Sequence, residues 1–188
     1  EIGCKAGYAP HFLYFINKGK VKTFKLHMDD KEFITAIYKE GEFLGYRVLL
    51  EDTLYRNTAE AMEDVELMII PKAEFLSLIS SDIQFAKKFF KLLTNDVAEK
   101  EEQLLGLAYN SLRKRIANGL LTVNEKYKED LTDNPNLNIS REDLAQVVGT
   151  ATESIIRTLS DFKSENLIEI KEGRIKIIDE KKLRELLN

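Results

Sequence analysis

The stretch Ser140–Leu159, SREDLAQVVGTATESIIRTL, decides how the chain is read. Leu144, Ala145 and Val148 recur at helical spacing and predict one inner face. Gly149 follows, at a turn where a left-handed backbone costs glycine little. Thr150 to Glu153, TATE, reads as a capping box that restarts the chain as a second helix. Ile155 and Leu159 point that helix back at the first. Ser140 is placed to cap the first helix, with Asp143 in its first turn. A small residue (Ala145), a glycine four residues on and an apolar residue six further is the spacing of a helix-turn-helix. The small residue lets the helices approach, and the second helix is presented for the major groove. Many helical hairpins share the pattern, so the residues after it matter. Leu167 to Ile170 and Ile175 to Ile178 predict two short strands, with the KEGR turn of Lys171–Arg174 between them. Helix, turn, helix, hairpin is a winged helix.

The totals bound the rest. At 188 residues the chain holds one large or two small domains. Its 44% hydrophobic and 32% charged content is that of an ordinary globular protein. No apolar run approaches the ~20 residues of a membrane span, and no signal peptide is visible at the start. The single cysteine, Cys4, excludes an intramolecular disulfide and a multi-cysteine zinc or iron–sulfur site within the chain. It also fits a reducing, cytoplasmic setting. The net charge of −4 does not by itself suggest nucleic acid. From Arg141 to Asn188 there are nine Lys/Arg against ten Asp/Glu, so any basic footprint is local.

Upstream, the first 80 residues read as β structure. Phe12–Ile16, Val21–Leu26 and Phe33–Tyr38 are predicted strands, with turn signals at Lys18-Gly19, Met28–Lys31 and Lys39–Glu42. Asn57–Met62 and Val65–Ile70 are expected to pair with each other around Glu63-Asp64. Short strands at this spacing imply a sandwich or barrel. A short helix over Phe75–Ile79 leads into a long one over Asp82–Leu107. There Ala86, Phe90, Leu93, Val97, Lys100, Leu104 and Leu107 repeat at 4-3 spacing, a heptad seam that predicts a parallel dimer. A second row, Phe85, Phe89 and Leu92, leaves the same helix on another side for the β domain. Ser111–Tyr127 predicts a further helix with Leu112, Ile116, Leu120 and Val123 inside. Asp130–Asn136 predicts a loop, and Asp179 caps a last short helix.

This order of parts resembles the catabolite-activator/fumarate-nitrate (CRP/FNR) family of bacterial transcription regulators. The resemblance rests on LYFINKGKVKTFKL (Leu13–Leu26), YKEGEFLG (Tyr38–Gly45), TAEAMEDVELMIIPKAEF (Thr58–Phe75) and the run Ile139–Ile170. It implies an α+β chain: a cyclic-nucleotide-binding-like β-roll (jelly roll) over residues 1–80, a dimerisation helix over 81–108 and a winged helix-turn-helix over 109–188. The chain is read as starting at the roll's second strand, and an upstream receiver domain is left open. The implied partners are double-stranded DNA, a second copy of the chain and RNA polymerase, without a membrane or an enzymatic activity.

The resemblance also identifies candidate sites. Thr152, Glu153, Ile156 and Arg157 would read bases: Arg157 can donate to guanine O6 and N7, and Glu153 can accept from cytosine N4. The bland alternative is an i,i+4 ion pair. Ser140, Arg141, Thr150, Lys171 and Arg174 would hold phosphates. The effector pocket would involve Gly45, Tyr46, Arg56, Asn57 and Lys100. The cAMP-binding members place a Glu where this chain has Tyr46, Arg-Ser where it has Arg56-Asn57, and small hydroxyl residues near Lys100-Glu101. Tyr46 cannot accept two ribose hydroxyl bonds as a carboxylate does, so tight cAMP binding is not expected. The effector is left open and no cofactor is expected. His11 and His27, each near a strand end, are a poor basis for a haem sensor or a cupin-like metal enzyme. A ligand-binding roll whose winged helix docks a protein is the alternative reading.

Overall fold

The computed structural model describes residues 2–27, 31–128 and 135–187, so most of the turn expected at Met28–Lys31 and most of the loop expected at Asp130–Asn136 lie outside it. The chain forms two compact units: residues 1–31 with 35–104, and residues 105–188 with 32–34. No helix among the described residues is long and apolar enough to cross a membrane.

The first unit is built on two three-stranded sheets. One has the order β4 (Phe43–Leu44), β1 (Phe12–Lys18), β6 (Glu66–Pro71); the other β3 (Glu32–Tyr38), β2 (Val21–Leu26), β5 (Thr58–Ala61). The expected pairing of Asn57–Met62 with Val65–Ile70 does not form. Instead β5 pairs with β2, Thr58 opposite Phe24 and Ala61 opposite Val21, while β6 pairs with β1, Tyr14 opposite Ile69. The β1–β2 and β5–β6 connections both cross from one sheet to the other, and they do so at the same level. Gly19, between β1 and β2, has φ +86°, and a Cβ there would lie 2.4 Å from the Asp64 carbonyl oxygen, between β5 and β6. The two crossings therefore stack backbone on backbone, which admits no side chain at that point. Lys20 Nζ bonds Glu63 Oε1 at 2.9 Å beside them. Residues 4–8 run along β5, bonded through Ala59 N–H to the Cys4 carbonyl and Gly7 N–H to the Tyr55 carbonyl.

The pleat of β1 sorts its side chains into two cores. Tyr14 and Ile16 join Cys4, Val21, Leu44, Tyr55 and Ala59. Leu13 faces the helices α1 (Tyr46–Glu51), α2 (Lys72–Ser81) and α3 (Ile83–Tyr109), where it meets Tyr46, Leu49, Phe75 and Phe89. Phe89 is the centre of this second core, its ring 4.9 Å from Phe75, 5.2 Å from Phe43 and 5.7 Å from Tyr46. Cys4 is 2% exposed, and burial pushes its thiol up to about 11.

Asp82 starts α3, its Oδ1 accepting from the N–H groups of Gln84 and Phe85. The predicted second row, Phe85, Phe89 and Leu92, does pack on the roll. The predicted seam divides. Phe90 (53% exposed), Val97 (58%) and Leu104 (65%) lie on the outer side, and Ile83 (63%) extends the row backward at the same seven-residue interval. Leu107 is exposed as well. Ala86, however, is buried, Leu93 packs beside the Phe89 core, and Lys100 turns to the roll. A 3.6-residue helix drifts across a 3.5-residue repeat, so an inner face wide enough for the roll captures some seam positions.

The second unit contains α4 (Leu112–Tyr127), α5 (Arg141–Val148), α6 (Thr152–Ser164), the hairpin β7 (Ile168–Lys171) and β8 (Arg174–Ile177), and α7 (Glu180–Glu185). Ser111 caps α4 and Asp179 caps α7, with Lys114 and Lys182 N–H groups as donors. Ile116, Leu120, Val123, Leu144, Ile155 and Leu159 are buried, as the helical spacing predicts, and Phe162 joins them. Leu112, also expected inside, is exposed because it lies in the first turn of α4, at the edge of the packed stripe. Gly119 lets α4 approach α5 closely: a Cβ there would stand 2.6 Å from Val148 Cγ2.

Candidate functional site

The helix-turn-helix is assembled by local bonds. Ser140 Oγ accepts from Asp143 N–H at 2.8 Å and donates to Asp143 Oδ2 at 2.8 Å, so α5 starts where the sequence placed it. Gly149 ends α5 at φ 71°, ψ 51°, with its own N–H and that of Thr150 both bonded to the Ala145 carbonyl. The capping box expected from Thr150 does not form. α6 begins one residue later, with Ala151 at the cap position and no side chain bonded there. The turn uses the Thr150 N–H to close α5, which moves the cap to Ala151. A second residue stabilises the turn that the sequence reading missed: Arg115 of α4 donates from Nη2 to the carbonyls of Val148 at 2.8 Å and Gly149 at 2.9 Å. These are the carbonyls that the end of α5 leaves without a helical partner. Nothing local in the sequence marks this arginine, which sits next to Ile116 of the inner stripe while its acceptors lie 33 and 34 residues on.

α6 separates its two faces cleanly. Ile155, Leu159 and Phe162 are buried, whereas Glu153, Ile156 and Arg157 are exposed and Thr152 is half-buried. Glu153 and Arg157 stand one turn apart and form no ion pair with each other, and among the described residues neither has another partner. At its far end α6 closes with Asn166 at φ 59° and Leu167 N–H bonded to the Phe162 carbonyl, a left-handed cap that aims the chain into β7.

The hairpin turn, Glu172 at φ 50° and Gly173 at φ 79°, is the two-residue kind that fits strand twist. It presents Lys171 opposite Arg174. Lys171 pairs with Glu169 at 2.8 Å and Arg174 is exposed. Arg141 is half-buried beside Ile139, and burial lowers its pKa. Ser140 is spent on its cap, so its contribution to a phosphate would be limited to the helix terminus it organises.

Within the roll the five candidate pocket residues separate. Gly45 adopts φ 95° and opens α1. Tyr46 is buried, its hydroxyl donating to Asp96 Oδ2 at 2.6 Å; burial and that bond push its pKa up. Arg56 points outward and pairs with Glu51 at 2.7 Å. Asn57 and Lys100 converge on one residue: Asn57 Nδ2 donates to Thr35 Oγ1 at 2.9 Å and Lys100 Nζ to the Thr35 carbonyl at 2.5 Å. Tyr38 belongs to the same interior, its phenol pushed up to about 12, first by burial and then by the charge of Asp96. Among the described residues no group of three or more His, Cys, Asp or Glu side chains is arranged to hold a metal ion.

Comparison with known proteins accounts for both units. Residues 1–82 match the cyclic nucleotide-binding domain and residues 114–186 the Crp-like helix-turn-helix domain. The chain is 28% identical over 174 residues to the cyclic AMP receptor protein of Thermus thermophilus, covering 93% of this chain and 78% of that protein. It is 24% identical over 184 residues to the fumarate and nitrate reduction regulatory protein of Vibrio cholerae, covering 97% and 73%. Among solved structures, FixK2 from Bradyrhizobium japonicum shares the fold with a TM-score of 0.87 at 22% identity, over 99% of this chain and 92% of that one. With a cyclic-nucleotide-binding fold in one unit and a Crp-like helix-turn-helix in the other, the chain belongs to the CRP/FNR family of DNA-binding transcription regulators.

Proposed function

We infer that the chain works as a cytoplasmic homodimer reading a pseudo-palindromic operator, with no catalytic step and with RNA polymerase as its downstream partner. The observation that carries the reading is the outer face of α6, where Glu153, Ile156 and Arg157 are exposed and unspent. Polar groups left unbonded on a rigid helix are available to base edges without first breaking an internal bond. Arg115 holds the turn that sets the angle of this helix. Lys171 and Arg174, at the tip of the wing, are the natural phosphate contacts.

The row Ile83, Phe90, Val97 and Leu104 supports self-association. Four large apolar side chains at seven-residue intervals on one outer helix face fit a second copy of the same helix. Two winged helices so joined would meet half-sites about one helical turn, ~34 Å, apart. The roll, with Tyr46 bonded to Asp96 and Arg56 to Glu51, has no carboxylate at Tyr46 to accept ribose hydroxyls, and this supports a sensor domain without tight cAMP binding.

The test is selection of the chain on a randomised duplex pool at two salt concentrations. A two-fold symmetric enriched site, weakening steeply with salt, is the expected result. No enrichment at either concentration overturns the reading.

A further inference from the structure

α3 is attached to the roll in two different ways along its length. From Phe85 to Leu93 the attachment is apolar, centred on Phe89. From Asp96 onward it is polar. Asp96, Lys100 and Gln103 are the half-buried residues of the 94–104 stretch, at the 4-3 spacing of one helix face; the other residues there are exposed. Asp96 accepts from the Tyr46 hydroxyl at 2.6 Å and lies 3.7 Å from Arg47 Nη1. One turn on, Lys100 Nζ donates to the Thr35 carbonyl at 2.5 Å and to Gln103 Oε1 at 3.0 Å. Thr35 is the hub of the roll's polar floor: its hydroxyl accepts from Asn57 Nδ2 and donates to the carbonyl of Thr23, which is buried.

An ammonium bonded to a carbonyl is a charge-assisted contact, and it strengthens where water is scarce. The four-carbon stem of lysine gives it reach from the helix into the roll. We propose that Lys100 is a built-in ligand: its ammonium bonds the Thr35 carbonyl, next to the side-chain network in which Thr35 joins Thr23 and Asn57, and ties residues 94–104 of α3 to the roll without a diffusible effector. This rests on the reading of the roll as the sensor domain, because only a sensor has an effector to replace. Burial lowers the Lys100 pKa, as expected of an ammonium drawn out of water.

The test is amide hydrogen exchange on the full chain, which reads the attachment directly and does not depend on DNA binding. Lys100→Met keeps the stem and removes the charge; Lys100→Arg keeps a cationic donor. Lys100→Met should speed exchange across 94–104 roughly tenfold while leaving 83–92 unchanged, and Lys100→Arg should remain near the wild type. Exchange at the wild-type rate across 94–104 in Lys100→Met overturns the proposal, and so does equal loosening of both halves of α3. On the wild-type chain, acetylation by an activated ester should modify Lys100 about tenfold more slowly than the exposed Lys91, and equal rates overturn the proposal. Protection of 94–104 that appears only after cyclic AMP is added to the wild type also overturns it. A chain that holds this protection but selects no duplex would instead mark failure of the DNA-reading assignment.

Discussion

The interior of the β-roll and the outer face of α6 carry similar chemistry and use it in opposite ways. In the roll, Tyr46 is bonded to Asp96, and Asn57 and Lys100 to Thr35. On α6, Glu153 and Arg157 are bonded to neither each other nor another described residue. A polar group already paired inside a protein yields little free energy to a ligand, because its existing bond must first be broken. An unpaired one on a rigid support gives most of its interaction to the partner. The difference teaches where to look for each kind of effect: substitutions in the roll should change stability, and substitutions on α6 should change binding.

The largest expected effect tests the stability half. Phe89→Ala should cost about 3–5 kcal/mol in denaturant unfolding, since Phe89 is buried against Phe43, Tyr46 and Phe75 and its loss leaves a cavity. Arg157→Ala tests the other half. It should cost ~1–3 kcal/mol in duplex affinity and relax one base position, while leaving the melting temperature unchanged. Loss of stability with intact binding would reverse the comparison.

Alkaline pH sharpens it further. Tyr38 has a folded pKa of about 12 against an ordinary 10.0, so the fold holds the neutral phenol. Its contribution to stability is complete below pH 10 and disappears as pH rises toward about 12. Unfolding curves across that range should lose stability, and Tyr38→Phe should make the loss shallower. Ser140→Ala removes the α5 cap and should cost about 1 kcal/mol of stability. A duplex-affinity loss much larger than that would reveal a direct role for the hydroxyl. Lys171→Ala should have the smallest effect, a salt-dependence slope reduced by about 1 with base preference unchanged.

Local patterns carried much of this into view. The Ala145–Gly149–Ile155 spacing, the Ser140 and Asp179 caps and the hairpin around Gly173 depend on neighbours within a few residues, and each formed as read. The misreadings arise where distant residues decide. Asn57–Met62 and Val65–Ile70 look like a hairpin, but the stacking of Gly19 on Asp64 sends them to different sheets. Thr150 looks like a cap, but its N–H closes α5 first. Lys100 falls on the heptad repeat, yet the roll's polar floor draws it inward. Arg115 has no local signature, because the carbonyls it binds lie 33 and 34 residues away.

The buried cysteine has a practical consequence. Thiolate is the form that reacts with maleimides and iodoacetamides, and Cys4 is 2% exposed with its thiol pushed up to about 11. At neutral pH the folded chain is therefore silent to such reagents. A new cysteine placed at an exposed position, Ser160 on α6 or Glu172 in the wing, would be the one group to take a dye. Distances across an operator complex could then be followed by fluorescence on a chain that keeps its native Cys4.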